Sequence, residues 1–389
     1  MRYAFLVLVL FFLIATVAQS AQERRSIVVF NPAVNEPARQ ALLRAVGAII
    51  IKDLPLIDGK AVLLPPRAEA ALSRMAEVVR IDPDVIVVAL TQTLPWGVDR
   101  IDADLAWGTS TGSGVKVAIV DTGISTNHPD LKVWGGINTI DPKKGYDDDN
   151  GHGSHVAGTV AALNNTAGVV GVAYTAKLYA VKVLNASGSG YLSDVIEGLD
   201  WCIKNKMQVV NMSLGTSTDV QSFHDAVKKV NEAGMVQVAA AGNTYGGRVT
   251  FPAAYPETIA VSATDKTNTI ASFSSVGPEI DLAAPGVDIL STFRNKFYAT
   301  MSGTSMSAPH VSGTAALVIA AGVTGVDNVR ERLQSTADDL GDTGLDPYYG
   351  YGLVDAEEAV TGSQTRLAPR PGVLPVSGLS LTWGELKSR

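Results

Sequence analysis

Short apolar runs alternate with helix-like patterns along most of this chain, and that alternation limits its fold more than any other feature. Each run is rich in valine and alanine, and apolar residues at helical spacing follow it. Such alternation is typical of a parallel sheet with helices on both faces. We therefore predict an α/β domain over residues 91–361. The clearest strand-like runs are Val115–Val120, Leu178–Val183, Val209–Ser213, Val236–Ala240 and Thr258–Ala263.

Residues 21–90 show a different order of elements. Four strand-like runs and two helical patterns follow each other as β-α-β-β-α-β, which is the ferredoxin-like split arrangement. We therefore predict a small α+β unit ahead of the α/β domain. The predicted elements are the strand Ile27–Phe30, the helix Pro37–Val46, the strands Ala48–Leu54 and Lys60–Leu64, the helix Arg67–Val79 and the strand Asp84–Ala89.

The first twenty residues carry the features of a secretory signal peptide. Arg2 precedes the apolar run Ala4–Val17, and a segment with small residues follows. The alternative is a permanent membrane anchor, but the run of 14 residues is shorter than the ~20 that a spanning helix needs. We expect residues 1–20 to be cleaved and the protein to be secreted. Residues 362–389 contain three prolines and are predicted to be an extended tail.

Charge and cysteine content exclude some classes of protein. The formal net charge is −7, and no basic cluster is longer than Arg24-Arg25, which argues against a nucleic-acid partner. Cys202 is the only cysteine, so no intramolecular disulfide can form. Its helical spacing from Val195 and Leu199 predicts a place in the core. A secreted domain of this size without disulfides needs another constraint, for which a bound metal ion is a candidate. We expect a monomer.

Three segments rich in glycine and other small residues supply an Asp, a His and a Ser in that order. A serine hydroxyl is a poor nucleophile until a base takes its proton, and an imidazole base needs a carboxylate to fix its tautomer. Small neighbours let a backbone or a substrate approach closely. The pattern therefore favours nucleophilic catalysis by a serine. The segments are Val120–Ile124, Gly151–Thr159 and Gly303–His310.

These segments resemble the active-site signatures of subtilisin-like serine proteases, the subtilase family, and the chain resembles its bacterial members. The resemblance implies Ser305 as nucleophile, His152 as general base and Asp121 as the residue that orients the base. The alternatives are an N-cap serine, a metal ligand and a turn residue, respectively. His155 would have a structural role. The resemblance also implies an oxyanion hole formed by the Asn243 side chain and the Ser305 backbone N–H.

Substrate-binding segments follow from the same resemblance. Two short segments would hold an extended peptide between them as an added strand. Two apolar residues after the first segment would line the pocket for the fourth residue before the cut. Small residues near Asn243 would form a roomy, uncharged pocket for the residue at the cut, so we expect broad specificity with an apolar preference. These sets are Gly188, Ser189 and Gly190 with Ser213, Leu214 and Gly215; Leu192 and Val195; and Ala240, Ala241, Gly242 and Thr250.

An acidic run, Asp147–Asp149, lies just before His152. It does not fit a calcium-binding EF-hand, because Tyr146 and Ala157 would occupy the first and twelfth ligand positions. We expect a solvated acidic turn. The alternative is a site that favours a basic residue two positions before the cut.

The segment Leu163–Val169 resembles the strong calcium loop of the subtilases. The resemblance implies six oxygen donors, a number that suits calcium. The alternative is an Asn-rich turn without a metal. The implied ligands are the side chains of Gln92, Asp130 and Asn165 and the backbone carbonyls of Leu163, Ala167 and Val169.

The resemblance as a whole implies a self-processing serine endopeptidase that acts on polypeptides. Residues 21–90 would then be a propeptide, both folding aid and inhibitor. One rival is an aspartic protease, since Asp-Thr-Gly occurs at Asp121 and at Asp342, but Asp342 lies in a polar stretch and pepsin-like enzymes are all-β. A catalytically silent binding protein and an esterase are the others. The esterase signature Gly-x-Ser-x-Gly lacks its last glycine here.

Overall fold

The structure, a computed structural model, describes residues 24–85 and 92–363. The predicted signal peptide, the residues around Leu90 and nearly all of the predicted tail lie outside the described residues. Contacts within the chain divide it into two units between Ala89 and Leu90, and each unit is described by itself. Among the described residues, no helix combines the length and apolarity that crossing a bilayer requires.

The first unit has the predicted β-α-β-β-α-β order. Its four strands form one antiparallel sheet in the order β2-β3-β1-β4. Val28 and Phe30 of β1 pack with Leu43 and Leu72 of the two helices in a small core of their own. The elements are β1 Arg24–Phe30, α1 Glu36–Ala45, β2 Ile49–Leu54, β3 Gly59–Leu64, α2 Ala68–Leu72 and β4 Val78–Pro83.

Two boundaries in this unit were predicted wrongly. The predicted helix Arg67–Val79 is only the five-residue α2, which ends at Leu72 in a turn. Strand β4 then begins at Val78, so the last strand precedes the predicted Asp84–Ala89; Asp84 and Val85 belong to no strand, and the other four residues lie outside the described residues. The sequence pattern misled because Val78 continues the helical spacing, whereas its pairing with β1 makes it a strand residue.

The second unit contains a parallel sheet, as predicted, and the described residues form seven strands of it. Its strand order is β11-β10-β9-β8-β5-β7-β6, and a two-stranded antiparallel ribbon, β12-β13, lies beside it. The elements are α3 Trp96–Arg100, α4 Ala103–Ala106, β5 Lys116–Asp121, β6 Val133–Asn138, α5 His152–Ala161, β7 Lys177–Lys182, α6 Leu192–Lys204, β8 Val209–Met212, α7 Gln221–Glu232, β9 Val236–Ala240, β10 Ile259–Thr264, β11 Ile280–Pro285, β12 Ile289–Thr292, β13 Tyr298–Met301, α8 Thr304–Ala320, α9 Val326–Ser335 and α10 Ala356–Thr361.

Each face of this sheet has its own core, because successive strand residues point to opposite sides. Val117 and Ile119 of β5 pack with α5 and α8, whereas Ala118 and Val120 pack with α6 and α7. Strands buried on both faces read as continuous apolar runs, which is why β5 was visible in the sequence. Cys202 is fully buried in the second core, as predicted.

Candidate active site

Asp121 and His152 meet where a strand ends and a helix begins. Asp121 is the last residue of β5 and is completely buried, and His152 is the first residue of α5. The His152 Nδ1 atom lies 2.8 and 2.9 Å from the two Asp121 carboxylate oxygens. The backbone N–H of Thr122 donates to one of these oxygens at 2.7 Å. The carboxylate therefore accepts the Nδ1 proton and leaves Nε2 as the basic nitrogen.

The environment of His152 tunes its basicity. Burial lowers the pKa of His152, but the charge of Asp121, the hydrogen bond that His152 donates to it and the charge of Asp148 together raise that pKa above its ordinary value. The side chain stays 23 % exposed, so part of the ring remains accessible. For the predicted role as general base, in which the imidazole must be neutral, this raised pKa would favour activity on the alkaline side.

Ser305 is the second residue of α8, and a proline in that helix fixes its surroundings. Pro309 has no N–H, so the Ser305 carbonyl four residues earlier has no helical partner. The Ser213 hydroxyl donates to this carbonyl at 2.9 Å, and the Ser305 hydroxyl donates in return to the Ser213 carbonyl at 3.2 Å. Asn211 holds the Ser213 hydroxyl in place. Ser305 and the predicted substrate-binding segment Ser213–Gly215 are therefore directly hydrogen-bonded to each other.

Asn243 lies against the start of the same helix. Its Oδ1 accepts hydrogen bonds from the Thr304 N–H and hydroxyl at 3.0 and 3.1 Å, which leaves its Nδ2 group as a donor. A Cβ placed on Gly303 would lie 3.4 Å from that Nδ2 and 3.8 Å from the Ser305 amide nitrogen. Both predicted oxyanion donors therefore border one small space, which only glycine leaves open.

A groove of about 510 Å³ runs past His152, between two segments of backbone. It contains both predicted substrate-binding segments and three residues that were not predicted as site residues, Thr122, Asn150 and Leu184. The Asn150 Oδ1 accepts from the His152 backbone N–H at 3.0 Å, and this local hydrogen bond places Asn150 in the groove. Leu192 and Val195 follow on the first turn of α6, where Val195 is buried in the core. The groove residues are Thr122, Asn150, His152, Leu184, Gly188, Ser189, Gly190, Ser213, Leu214 and Gly215.

Two glycines approach Thr250 in the predicted pocket for the residue at the cut. A Cβ on Gly215 or on Gly242 would come within 2.7 to 2.8 Å of the Thr250 side chain. The Thr250 hydroxyl is itself bonded to the Ala241 carbonyl at 3.1 Å. Ala240 and Ala241 are buried. The pocket residues are therefore brought together around Thr250.

The expectation of a solvated acidic turn before His152 is wrong for Asp148. Asp147 and Asp149 are exposed, but Asp148 is only 5 % exposed. Asp147 caps Thr126, and Asp149 pairs with Lys182 at 2.7 Å. The run therefore contains a buried carboxylate between two exposed ones, a distinction that the sequence did not reveal.

The predicted calcium ligands lie together in the described structure. The Gln92 Nε2 group donates to the carbonyls of Leu163 and Val169 at 2.7 and 3.2 Å. Asp130 accepts from the Asn165 side chain at 2.6 Å and from the Val169 N–H at 2.9 Å. The Asn165 side chain in turn accepts from the Ala167 N–H at 2.8 Å. All six residues therefore belong to one cluster.

The donor chemistry of this cluster fits a calcium ion. The carbonyls of Leu163 and Val169 both accept from the Gln92 amide group. Turning that amide over would bring its oxygen to these carbonyls, in place of the hydrogen bond that the oxygen now accepts from the Asn165 N–H at 3.2 Å. Burial raises the pKa of Asp130 despite its hydrogen bonds, so a cation beside it would favour the ionised form. A Cβ on Gly168 would collide with Asp130 and with Tyr298, so the loop closes this tightly only with glycine there.

Comparison with known proteins agrees with this geometry. A model of the subtilase family matches residues 112–352, which is more than half of the chain. The chain belongs to the subtilase family. It is 42 % identical to the alkaline protease of Shouchella clausii over 360 residues, covering 89 % of this chain and 93 % of that protein. It is 48 % identical to subtilisin Savinase of Lederbergia lenta over 270 residues, covering 69 % and 99 %.

A third relative is subtilisin E of Bacillus subtilis strain 168. It is 41 % identical over 351 residues, covering 88 % of this chain and 91 % of that protein. The predicted family and α/β fold are therefore confirmed, and this subtilase is a serine endopeptidase. The aspartic protease, esterase and catalytically silent alternatives are not supported.

Proposed function

We propose that Asp121, His152 and Ser305 are the catalytic triad of a secreted, self-processing endopeptidase. The observation that carries this proposal is the pair of contacts between His152 Nδ1 and the Asp121 carboxylate, beside a groove to which Ser305 is bonded through Ser213. His152 takes the proton from the Ser305 hydroxyl as that oxygen attacks the scissile carbonyl. It then gives the proton to the leaving amine, and an acyl-enzyme remains for hydrolysis.

The groove supplies positioning and electrostatic stabilisation. Backbone groups of Gly188–Gly190 and Ser213–Gly215 bind an extended polypeptide as a strand. The tetrahedral oxyanion accepts hydrogen bonds from Asn243 Nδ2 and the Ser305 N–H, and these donors already border one space. Since the pocket around Thr250 carries no charge, we expect apolar side chains at the cut and broad specificity.

Calcium acts in this proposal as a structural ion. Gln92, Asp130 and Asn165 would hold it with the carbonyls of Leu163, Ala167 and Val169. When bound, it supplies a positive charge that ties the loop 163–169 to Asp130. No step of the reaction depends on it.

Ser305→Ala tests the triad, and Ser307→Ala is its matched control. Ser307 lies two residues further along α8 and is buried, and its hydroxyl has no hydrogen-bond partner among the described residues. We expect Ser305→Ala to fold but to lose casein hydrolysis by roughly 10⁶-fold, as loss of the nucleophile does in subtilisin. Ser307→Ala should remain active. Hydrolysis by Ser305→Ala within tenfold of the parent would exclude Ser305 as nucleophile.

N-terminal sequencing tests the processing part of the proposal. We expect residues 1–20 to be removed on secretion and residues 21–90 to be removed by the enzyme itself, at or within a few residues of Leu90. Ser305→Ala should accumulate with residues 26–90 attached, and the separately made propeptide should inhibit the mature monomer. An active protein that begins near Ala21 would contradict self-processing.

A further inference from the structure

We propose that Asp148 is a positioning residue for the catalytic pair, because its buried carboxylate joins the start of α5 to the end of β5 and places a second negative charge near His152. The inference rests on the proposed triad. Asp148 itself does not touch the reacting atoms, and it acts through the residues next to Asp121 and His152.

Five hydrogen bonds converge on this carboxylate. Its Oδ1 accepts from the Thr122 hydroxyl at 2.8 Å and from the backbone N–H groups of Asn150 and Gly151, both at 2.9 Å. Its Oδ2 accepts from the Ser154 N–H at 2.9 Å and from the Ser154 hydroxyl at 2.6 Å. Both carboxylate oxygens therefore have hydrogen-bond donors. Because every donor is neutral, no directly bound cation compensates the negative charge.

These bonds connect the two halves of the catalytic pair. Thr122 follows Asp121, and the Thr122 hydroxyl accepts from the Gly153 N–H at 2.9 Å while it donates to Asp148. Gly153 follows His152, and a Cβ on Gly153 would collide with the Gly123 carbonyl oxygen. The helix start therefore sits directly on the strand end. Loss of the Asp148 carboxylate would free α5 to shift against β5, and with it the histidine against Asp121.

The charges near His152 make Asp148 an electrostatic partner as well. Burial lowers the pKa of His152, and Asp121 and then Asp148 raise it. Asp149 is half-exposed and paired with Lys182, so solvent and that ammonium group screen its charge. His155 lies one turn further along α5 and carries no charge near neutral pH, because burial lowers its pKa to about 4. Arg294, on the ribbon tip, bonds to the Asp149 carbonyl.

Asp148→Asn, with Asp149→Asn as control, tests the proposal. Both substitutions remove one negative charge at adjacent positions, but only the first removes acceptors from the helix start. For Asp148→Asn we expect kcat to fall by roughly tenfold to a hundredfold, because small misplacements of reacting groups cost that much. We also expect the acid limb of kcat/KM against pH to move to lower pH, and to move less in Asp149→Asn. An unshifted acid limb, an undiminished kcat, or an equal shift in Asp149→Asn overturns the proposal.

A readout that does not need activity is available in the Ser305→Ala protein. Proton NMR of the His152 ring follows its titration, and adding Asp148→Asn should lower the titration midpoint. If Asp148→Asn does not fold, Thr122→Val and Thr122→Ser replace it. Valine removes the hydroxyl that bridges Asp148 and Gly153, whereas serine keeps it. We expect kcat to fall further in Thr122→Val than in Thr122→Ser, and equal kcat in the two variants overturns the positioning role.

Failure of this inference is distinguishable from failure of the proposed triad. Labelling by a fluorophosphonate in the parent, absent in Ser305→Ala, establishes the nucleophile first. If the parent is labelled and Asp148→Asn behaves as the parent does, the triad stands and only the role of Asp148 is lost. If Ser305→Ala still hydrolyses casein, the triad itself fails.

Discussion

Two buried histidines should make this protein lose stability in acid. His155 and His310 are completely buried, and burial lowers the pKa of each from 6.5 to about 4. One ring nitrogen of each donates to backbone carbonyls, and the other has no hydrogen-bond partner among the described residues. Protonation would therefore place an N–H, and a charge, in apolar surroundings. The unfolded chain binds these protons more readily than the folded one.

The size and pH range of the effect follow from those values. Because the folded pKa is the lower one, the contribution of each histidine is complete above pH 6.5, falls as the pH drops towards 4, and changes no further below that. Each histidine should cost about 2 kcal/mol at pH 5 and about 3 kcal/mol below pH 4. The raised pKa of His152 acts in the opposite sense and stabilises the fold at acid pH. The contribution of His152 is the same in the parent and in the single variants, so it cancels when they are compared.

The assay is urea unfolding of the Ser305→Ala protein at pH 7 and pH 5, in excess calcium. His310→Asn keeps a donor for the Met306 carbonyl, and His155→Gln keeps one for the Ile289 and Ala299 carbonyls, yet neither amide titrates. Each variant is expected to be less stable than the parent at pH 7, because its packing is poorer. Each should lose about 2 kcal/mol less than the parent between the two pH values. The same loss in parent and variants would refute the reasoning.

Three further results are expected. Chelation should lower Tm and speed autolysis, since an ion that binds only the folded state adds about 2.7 kcal/mol to the free energy of unfolding at a hundredfold excess over Kd. Asp130→Ala should show that loss without chelator. Equal Tm with and without calcium would exclude the site. Gly303→Ala puts a methyl group 3.4 Å from Asn243 Nδ2 and 3.8 Å from the Ser305 amide nitrogen, so kcat should fall by roughly 10²-fold or more. An unchanged kcat would contradict the placement of the oxyanion. Ser213→Ala leaves the Ser305 carbonyl unpaired, which should cost about 1–3 kcal/mol in urea unfolding, and an unchanged midpoint would count against that bond.

Elements that depend on local pattern were well predicted from the sequence. Val236–Ala240 is a strand over the same residues, and Val115–Val120 differs from β5 by one residue at each end. These strands are buried on both faces, so apolar composition alone marks them. The error at β4 has the opposite cause. Only its pairing with β1 makes Val78–Pro83 a strand, and that partner is distant in sequence.

The same distinction between local pattern and distant partners applies to the residues of the candidate site. Asp121, His152 and Ser305 could be found because each lies in a short segment whose small residues are dictated by close approach. The role of Asp148 could not be found, since nothing beside it in the sequence distinguishes it from Asp147 or Asp149. Burial singles it out, and the burial comes from Thr122 and Ser154, which the fold brings to it.

The burial of α8 also affects how the enzyme can fail. Nearly every residue from Thr304 to Val318 is buried, and the helix contacts both α5 and the sheet. The proposed nucleophile therefore stands on the element whose opening would require most of the molecule to unfold. Heat or denaturant should abolish hydrolysis only when the whole domain melts, without a prior stage in which the fold is intact and the serine displaced. The residual activity is then proportional to the fraction of molecules that remain folded.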